Sequence, residues 1–471
     1  MIFNSFNFLW MFPLIFAIYW GIGSILKQRQ GRVGNILLLL ISYALYMQHR
    51  ADFALVLLGV TAITYLAALL IEQQQAYGKK KYIIFSGALL ALLPLIIFKY
   101  AGFVNEMLTN VMGGKSAGLN WAVPLGISFF TFQAVGYLFD VYYQRIKAEH
   151  NWWDYMLFVA FFPQILSGPI SKAKDLLPQI KRERTFDYDK AVQGLKWILW
   201  GMFMKVVMAD RLGLYVDKVL DNYMYQSGTS CLAASVLYTF QIYGDFAGYS
   251  LIAIGVGRLL GFDLINNFNH PYLSIGITDF WRRWHISLST WLKDYVYIPM
   301  GGSRCSKLRN YWNIFVTFLV SGFWHGANWT FIVWGVLHGV FQIIEKMLGL
   351  QKCESKKAWV VVPRIIITFL IVNFLWLIFR MPTIGDAWAC FLRILTEHSA
   401  LNLPTETNTL YCVSSVLVVL LSDIYMERHP SPRILLHSRH RMVRWMVYLA
   451  LTISIVMCGV LDSGQFIYAS F

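Results

Sequence analysis

The chain has 471 residues, of which 57% are hydrophobic, 17% aromatic and only 14% charged, with a formal net charge of +15. A soluble domain carries roughly 25% charged residues, and apolar stretches long enough to cross a bilayer core of about 30 Å recur here from end to end. A soluble enzyme, a disordered chain and a nucleic-acid module are excluded, and the missing period-two alternation argues against an outer-membrane barrel; the composition is that of an all-α polytopic membrane protein.

The first apolar run, Phe6 to Leu26, has neither a basic n-region nor a small-residue cleavage site, and reads as a retained span. Further spans are predicted over 33–48, 53–71, 82–98, 119–139, 191–209, 231–257, 311–344, 358–379, 410–422 and 445–461. The segment FPQILSGPI within 155–170 carries Pro163, Gly168 and Pro169, so it is expected to be broken or re-entrant. The 311–344 run is too long for one straight crossing, and its glycines split it into two segments meeting near Trp324–Asn328. There is no internal repeat and no low-complexity linker.

Lysine and arginine placement gives the orientation. Taking 27–32, 72–81, 140–190, 258–310, 345–357 and 423–444 as cytoplasmic assigns them 30 of the 40 Lys and Arg, against 7 on the opposite side. Both termini come out non-cytoplasmic, and the positive charge is explained without nucleic acid. The six cysteines (Cys231, Cys305, Cys353, Cys390, Cys412 and Cys458) form no CxxC pair and the histidines no cluster, so neither a disulfide framework nor a metal site is indicated.

The stretch 258–310 departs from the span pattern: cytoplasmic by charge, yet rich in aromatics. Within it Trp281, Trp284, Leu288, Trp291 and Tyr295 recur on one helical face. Thr278 and Asp279 are N-cap candidates and Pro299 follows. This predicts one amphipathic helix lying in the interface plane, aromatic side down.

Ionisable groups inside apolar segments are costly and are functional candidates by default. His325 sits at the break of the 311–344 run, where a neutral imidazole can act as general base on a hydroxyl; its plainer role is a hydrogen bond to a neighbouring helix. His285, beside Trp284 on the amphipathic helix, is the second candidate, the alternative being a satisfied interfacial histidine. Arg282, Arg283 and Lys293 suit the phosphates of an anionic cofactor, or equally lipid head groups. His338 lies 13 positions after His325, about 220° round a helix, and is read as structural. Asp245 is an isolated carboxylate in a span, placed either to orient a hydroxyl or a histidine or to cap a broken helix. Gly301 and Gly302 make a turn and no phosphate loop. No GxSxG, Walker or HExxH motif is present.

DFWRRWHISLSTWLKDYVYIPMGGSR followed by SGFWHGANWTFIVWGVLHG resembles the paired signature of the membrane-bound O-acyltransferase family, and FFPQILSGPI supports it. Within that family the chain is similar to the bacterial alginate O-acetylation type, through YIPMGGSR and its length, from FNSFNFLWMFPLIFAIYW onward. The resemblance implies a single integral-membrane domain over 1–471 with its signature at about 266–345. The implied fold is a ring of about 11–13 tilted transmembrane helices with re-entrant segments around a central tunnel, in a bacterial cytoplasmic membrane. It maps the family's essential intramembrane histidine onto His325 and its second active-site position onto His285. It implies acetyl-CoA as donor substrate with no permanently bound cofactor, an extracytoplasmic SGNH-hydrolase-like partner, and a polysaccharide acceptor.

On that basis His325 is expected to deprotonate the acceptor hydroxyl and His285 to hydrogen-bond the thioester or its oxyanion. Arg282, Arg283 and Lys293 would hold the donor's anionic end, with Trp281 and Trp284 beside it. Trp324, Asn328 and Asp245 would line the substrate tunnel, the tryptophans excluding water. Direct transfer and an acyl-enzyme intermediate both remain open. The variants to weigh are D-alanyl transfer to teichoic acid from a carrier-protein thioester, and peptidoglycan O-acetylation; from other classes, a transporter or an envelope scaffold.

Overall fold

The structure, a computed structural model, describes residues 3, 5–25, 31–48, 50–112, 121–352, 357–401, 406–429, 435–461 and 467. Cys353, the basic loop at 27–30 and the two chain ends lie outside these residues. Among the described residues every regular element is helical and there is no strand. That is the expected all-α membrane class, in which each backbone N–H and C=O finds a partner within its own segment. Among the described residues five helices are, by length and composition, long and apolar enough to cross a membrane, within 53–73, 77–109, 358–380, 408–428 and 441–458. The chain forms two compact units, 1–195 with 253–265, and 196–252 with 266–471.

The first unit holds α1 (Phe6–Ile25), α2 (Arg32–Met47), α3 (Phe53–Gln73), α4 (Tyr77–Met112), α5 (Ile127–Tyr142), α6 (Trp152–Ala160), α7 (Phe162–Ile165) and α8 (Ala173–Lys181). Helix α3 packs on α4 and α5, and α2 on α6. The segment expected to be broken is broken: α6 ends at Ala160 and α7 restarts at Phe162 with Pro163 in its first turn. The Phe162 N–H freed by the break donates to Ser42 Oγ at 3.1 Å. Gly126 is required here, because it has φ +71° and an added Cβ would lie 2.2 Å from the Ile165 carbonyl oxygen.

The chain leaves this unit within α9 (Tyr188–Met202), which continues as a π-helical turn, Phe203–Ala209, into α10 (Asp210–Leu220). Helix α11 (Gly228–Leu259) leads back. The second unit continues with α12 (Ile277–Arg283), α13 (Ile286–Leu292), a π turn at Lys293–Tyr297, α14 (Lys307–His325), α15 (Trp329–Met347), α16 (Ala358–Arg380), α17 (Ile384–Thr396), α18 (Glu406–Arg428) and α19 (Arg441–Cys458). The long apolar run divides as predicted, into α14 and α15. Their close approach depends on glycine: a Cβ on Gly322 would meet the Phe331 carbonyl oxygen at 2.6 Å, and one on Gly335 the Phe318 carbonyl oxygen at 2.5 Å.

The predicted amphipathic helix is corrected in three respects. It is two helices, interrupted at His285, whose φ of 42° no α-helix accommodates. Its N-cap position belongs to Gly276, with Thr278 and Asp279 inside the first turn. Its aromatic face is also not turned to lipid, since Trp281, Trp284, Leu288, Trp291 and Tyr295 are all buried by protein. Helices α15 and α16 pack on α12 and cover its tryptophans, with Trp334 and His338 against Trp281 and Trp376 against Trp284. Periodicity reports that a face is buried and leaves open by what. The same limit explains α10 and α17, expected as connections: each carries too many charges for a span yet keeps a buried apolar stripe, Leu212, Val216 and Val219 in α10 and Ala387 and Cys390 in α17.

Candidate active site

His325 is the last residue of α14 and is 2% exposed. Three rings stand edge-on to its imidazole, Trp334 at 4.8 Å, Trp324 at 4.9 Å and Phe379 at 5.3 Å between centroids. His285 is fully buried at the α12–α13 break, with Phe246 at 4.6 Å and Trp324 at 5.8 Å. The Trp324 indole thus packs edge-to-face on both histidines, which lie 40 residues apart in the chain. The sequence singles out these two imidazoles, and the fold gathers them about one side chain.

A left-handed backbone at a non-glycine residue costs roughly 1–2 kcal/mol, so the turn at His285 needs support. Asn267 provides it. Its carbonyl oxygen accepts the Ile286 N–H at 2.9 Å, and its Oδ1 accepts the Ser287 N–H at 3.1 Å and hydroxyl at 2.9 Å. Accepting a backbone N–H identifies that atom as the oxygen, which has no proton to give. His285 Nδ1, 3.2 Å from the same Oδ1, is therefore the donor. Burial pushes the His285 imidazole down to about 3, so the ring is neutral at ordinary pH. A neutral ring protonated at Nδ1 carries its lone pair at Nε2. This corrects the expectation that His285 donates to an oxyanion: in this tautomer it accepts a hydrogen bond or a proton. Asn267 escapes the sequence reading, where its only signal is an asparagine cluster, Asn266, Asn267 and Asn269, in an aromatic stretch.

Of the cations proposed to hold a donor, two share a cavity. A space of about 450 Å³ is lined by Trp281, Arg282, Lys293, Thr317, Ser321 and Lys346, among others. Ser321 lies one helical turn before His325 on α14. Arg283 is not part of the lining: its guanidinium takes Asp279 at 3.1 Å and Glu427 at 2.8 Å and 3.0 Å. Trp284 is likewise a core residue, stacked on Phe280 and packed on Trp376 and Phe268. Neighbours along one short helix face different ways, which accounts for both corrections. Lys346, on the last turn of α15 and hydrogen-bonded to Asn310 Oδ1, reads in the sequence only as a cytoplasmic charge.

Two proposed tunnel residues are committed elsewhere. Asn328 caps α15, its Oδ1 accepting the Thr330 N–H at 3.0 Å while its amide donates to the Pro382 carbonyl at 2.9 Å. Asp245 is not isolated: it pairs with Lys205 at 2.6 Å, Lys205 pairs with Asp210 at 2.5 Å, and the Ile467 N–H donates to Asp245 Oδ2 at 2.9 Å. Asp245 is thereby tied to a lysine and a backbone amide, with no histidine among these partners. Burial makes the pairing obligatory, because an unpartnered charge there costs several kcal/mol. The sequence signal is Lys205 itself, one of three cations falling inside predicted spans. Among the described residues no group of three or more His, Cys, Asp or Glu side chains is arranged to hold a metal ion.

Residues 42–384 match the model of the membrane-bound O-acyltransferase family. A probable alginate O-acetylase of Pseudomonas aeruginosa is 39% identical over 401 residues, covering 83% of this chain and 74% of the relative. A peptidoglycan O-acetyltransferase of Helicobacter pylori is 35% identical over 394 residues, 78% of this chain and 73% of its own. A teichoic acid D-alanyltransferase of Bacillus subtilis is 28% identical over 382 residues, 75% of this chain and 92% of its own.

Proposed function

Because this chain belongs to the membrane-bound O-acyltransferase family, we propose that it moves an acetyl group from cytoplasmic acetyl-CoA to a polysaccharide hydroxyl on the outer side of a bacterial cytoplasmic membrane, handing it on through an SGNH-type partner, with both its termini on the outer side. The observation that carries this reading is the burial of His325 and His285 against the one indole of Trp324. A dry pair of imidazoles suits proton transfer from an alcohol while excluding the water that would hydrolyse the donor.

In this mechanism His325 takes the proton of the acceptor hydroxyl as its oxygen attacks the thioester carbonyl. The C–O bond forms, the C–S bond breaks, and the proton passes to the leaving thiolate. His285, held by Asn267, accepts at Nε2 a hydrogen bond from a second hydroxyl of the acceptor and so orients the attacking one, whose single proton goes to His325. Arg282, Lys293 and Lys346 supply positive charge for the phosphates of the donor, and Trp281 forms the wall beside them. Arg283 supports this site only by tying α12 to α18 through Glu427, its contact with Asp279 lying within α12.

The second reading is D-alanyl transfer from a carrier-protein thioester, favoured by the similarity to the Bacillus subtilis enzyme along 92% of that relative's length; peptidoglycan as acceptor is a third, favoured by the Helicobacter pylori relative. Family membership displaces the transporter and scaffold readings that the sequence leaves open. The test is the acyl group released by mild alkali from envelope polysaccharides of cells carrying wild type or His325→Ala in equal membrane amounts. Acetate with wild type alone is the expected result. D-alanine instead moves the protein to the carrier-fed branch, and esters unchanged between the two sink the assignment of His325.

A further inference from the structure

The sequence reads His338 as structural, yet the residue joins the two parts of the site. It lies on α15, fully buried. The Trp281 Nε1–H donates to its Nδ1 at 3.1 Å. An indole nitrogen only donates, so Nδ1 carries no proton and the neutral ring holds its hydrogen on Nε2. The same imidazole stands edge-on to Trp334 at 4.8 Å, and Trp334 in turn stands edge-on to His325 at 4.8 Å. Phe280 and Phe318 stack on the faces of His338 at 6.2 Å each. Trp281 and Phe318 both line the cavity that also holds Arg282 and Lys346.

His338 is thus hydrogen-bonded to the wall of the cavity on one side and packed against the aromatic collar of His325 on the other. Close helix approach makes this possible, since a Cβ on Gly339 would meet Phe318 Cβ at 3.2 Å. A tryptophan wall is useful only in one rotamer, because turning the indole about its first side-chain bonds sweeps its outer ring through the space it borders. With its N–H given to His338, Trp281 has one orientation that keeps its donor satisfied, and a buried donor left without an acceptor is costly. A plain packing residue, such as phenylalanine, would fill the volume and leave that rotamer unspecified.

We propose that His338 is a positioning residue for the thioester donor: its Nδ1 fixes the Trp281 indole as the cavity wall beside Arg282, and so sets how the donor lies on its way to His325. His338 touches neither donor nor acceptor. The inference rests on the acetyl-CoA reading above and adds to it a residue that no motif assigns a role.

The test uses the full-length protein in inverted membrane vesicles, with radiolabelled acetyl-CoA supplied outside and alkali-labile ester measured. His338→Phe and Trp281→Phe should each raise KM for acetyl-CoA by about three- to tenfold, the scale of one hydrogen bond, with kcat within about twofold. Because both remove the same contact, the double variant should be no worse than Trp281→Phe alone. His338→Gln, whose side-chain oxygen can take the indole N–H, should recover most of the wild-type KM. Additive effects, an unchanged KM, or a loss confined to kcat would overturn the proposal. If His338→Phe fails to accumulate, the KM values of Trp281→Phe and His338→Gln decide by themselves. Wild-type vesicles that make no ester from acetyl-CoA overturn the donor reading and the positioning role with it; active wild type with indifferent variants overturns the positioning role alone.

Discussion

The side-chain oxygen of Asn267 lies 3.2 Å from Nδ1 of His285 and takes, besides that ring, the N–H and the hydroxyl of Ser287. One acceptor thereby fixes the tautomer of a candidate catalytic histidine and the left-handed turn on which it sits. Removing the acceptor should act on both. Asn267→Leu strands the Ser287 donors, and is expected to cost about 1–3 kcal/mol of stability and about 10–100-fold in ester formation, the usual scale for an orienting partner. Asn267→Asp keeps an acceptor oxygen and should retain more activity. Ester per unit of membrane protein, with unfolding followed by tryptophan fluorescence in detergent, measures the two effects separately.

Burial holds His285 near a pKa of about 3, against an ordinary 6.5. The unfolded chain therefore binds a proton at this residue between those values that the folded chain refuses. Its contribution to stability is fully present above pH 6.5 and is lost as pH falls towards 3. Melting temperature should drop more steeply between pH 6.5 and pH 5 in wild type than in His285→Gln. Parallel curves would show that this residue does not govern acid sensitivity.

Lys205, Asp210 and Asp245 form a buried network in which one lysine serves two carboxylates. Lys205→Met leaves both carboxylates without a cation, and breaking a buried pair from one side costs about 3–5 kcal/mol. The single variant should fail to accumulate in the membrane. Combining it with Asp210→Asn and Asp245→Asn removes the stranded charges and should restore much of the protein, as read by immunoblot of washed membranes. A triple variant as scarce as the single one would show that the lysine is needed for more than neutralisation.

Arg282 and Arg283 are adjacent in sequence and opposite in environment. Arg282 lines the cavity, whereas Arg283 is held by Asp279 and Glu427. Arg282→Ala should raise KM for acetyl-CoA several-fold while leaving membrane abundance intact. Arg283→Ala should lower the melting temperature with a smaller effect on KM, although the gain from a partly exposed pair is modest, on the order of 1 kcal/mol. Donor titration in vesicles beside a thermal scan separates the pair, and identical behaviour of both variants would remove the cavity from the argument.

Much of the site is legible in the amino-acid sequence. His325 stands out because an imidazole in an apolar run is costly, and His285 because it lies beside Trp284 on an aromatic helix; both come through local pattern and a motif. The break between α14 and α15 is written in the length of the apolar run and in Gly326 near its middle, and the break at Phe161 in Pro163. The single long amphipathic helix fails for an instructive reason. The spacing of Trp281, Trp284, Leu288, Trp291 and Tyr295 is compatible with a continuous helix, and nothing local announces that His285 takes a left-handed turn. That turn is imposed by Asn267, 18 residues earlier.

The sequence by itself determined that this is a helical membrane protein, where its longest apolar run divides, and which two histidines are its candidates for chemistry. These properties follow from composition and from periods of a few residues, which the chain states wherever it is read. Only the tertiary structure decided that Lys205 answers Asp245, that Arg282 faces a cavity while Arg283 does not, that Lys346 joins the cations lining that cavity, and that His338 holds Trp281. Each of those is a pairing between positions far apart in the chain. Burial requires that a polar group have a partner, and only the packing of the helices chooses which one.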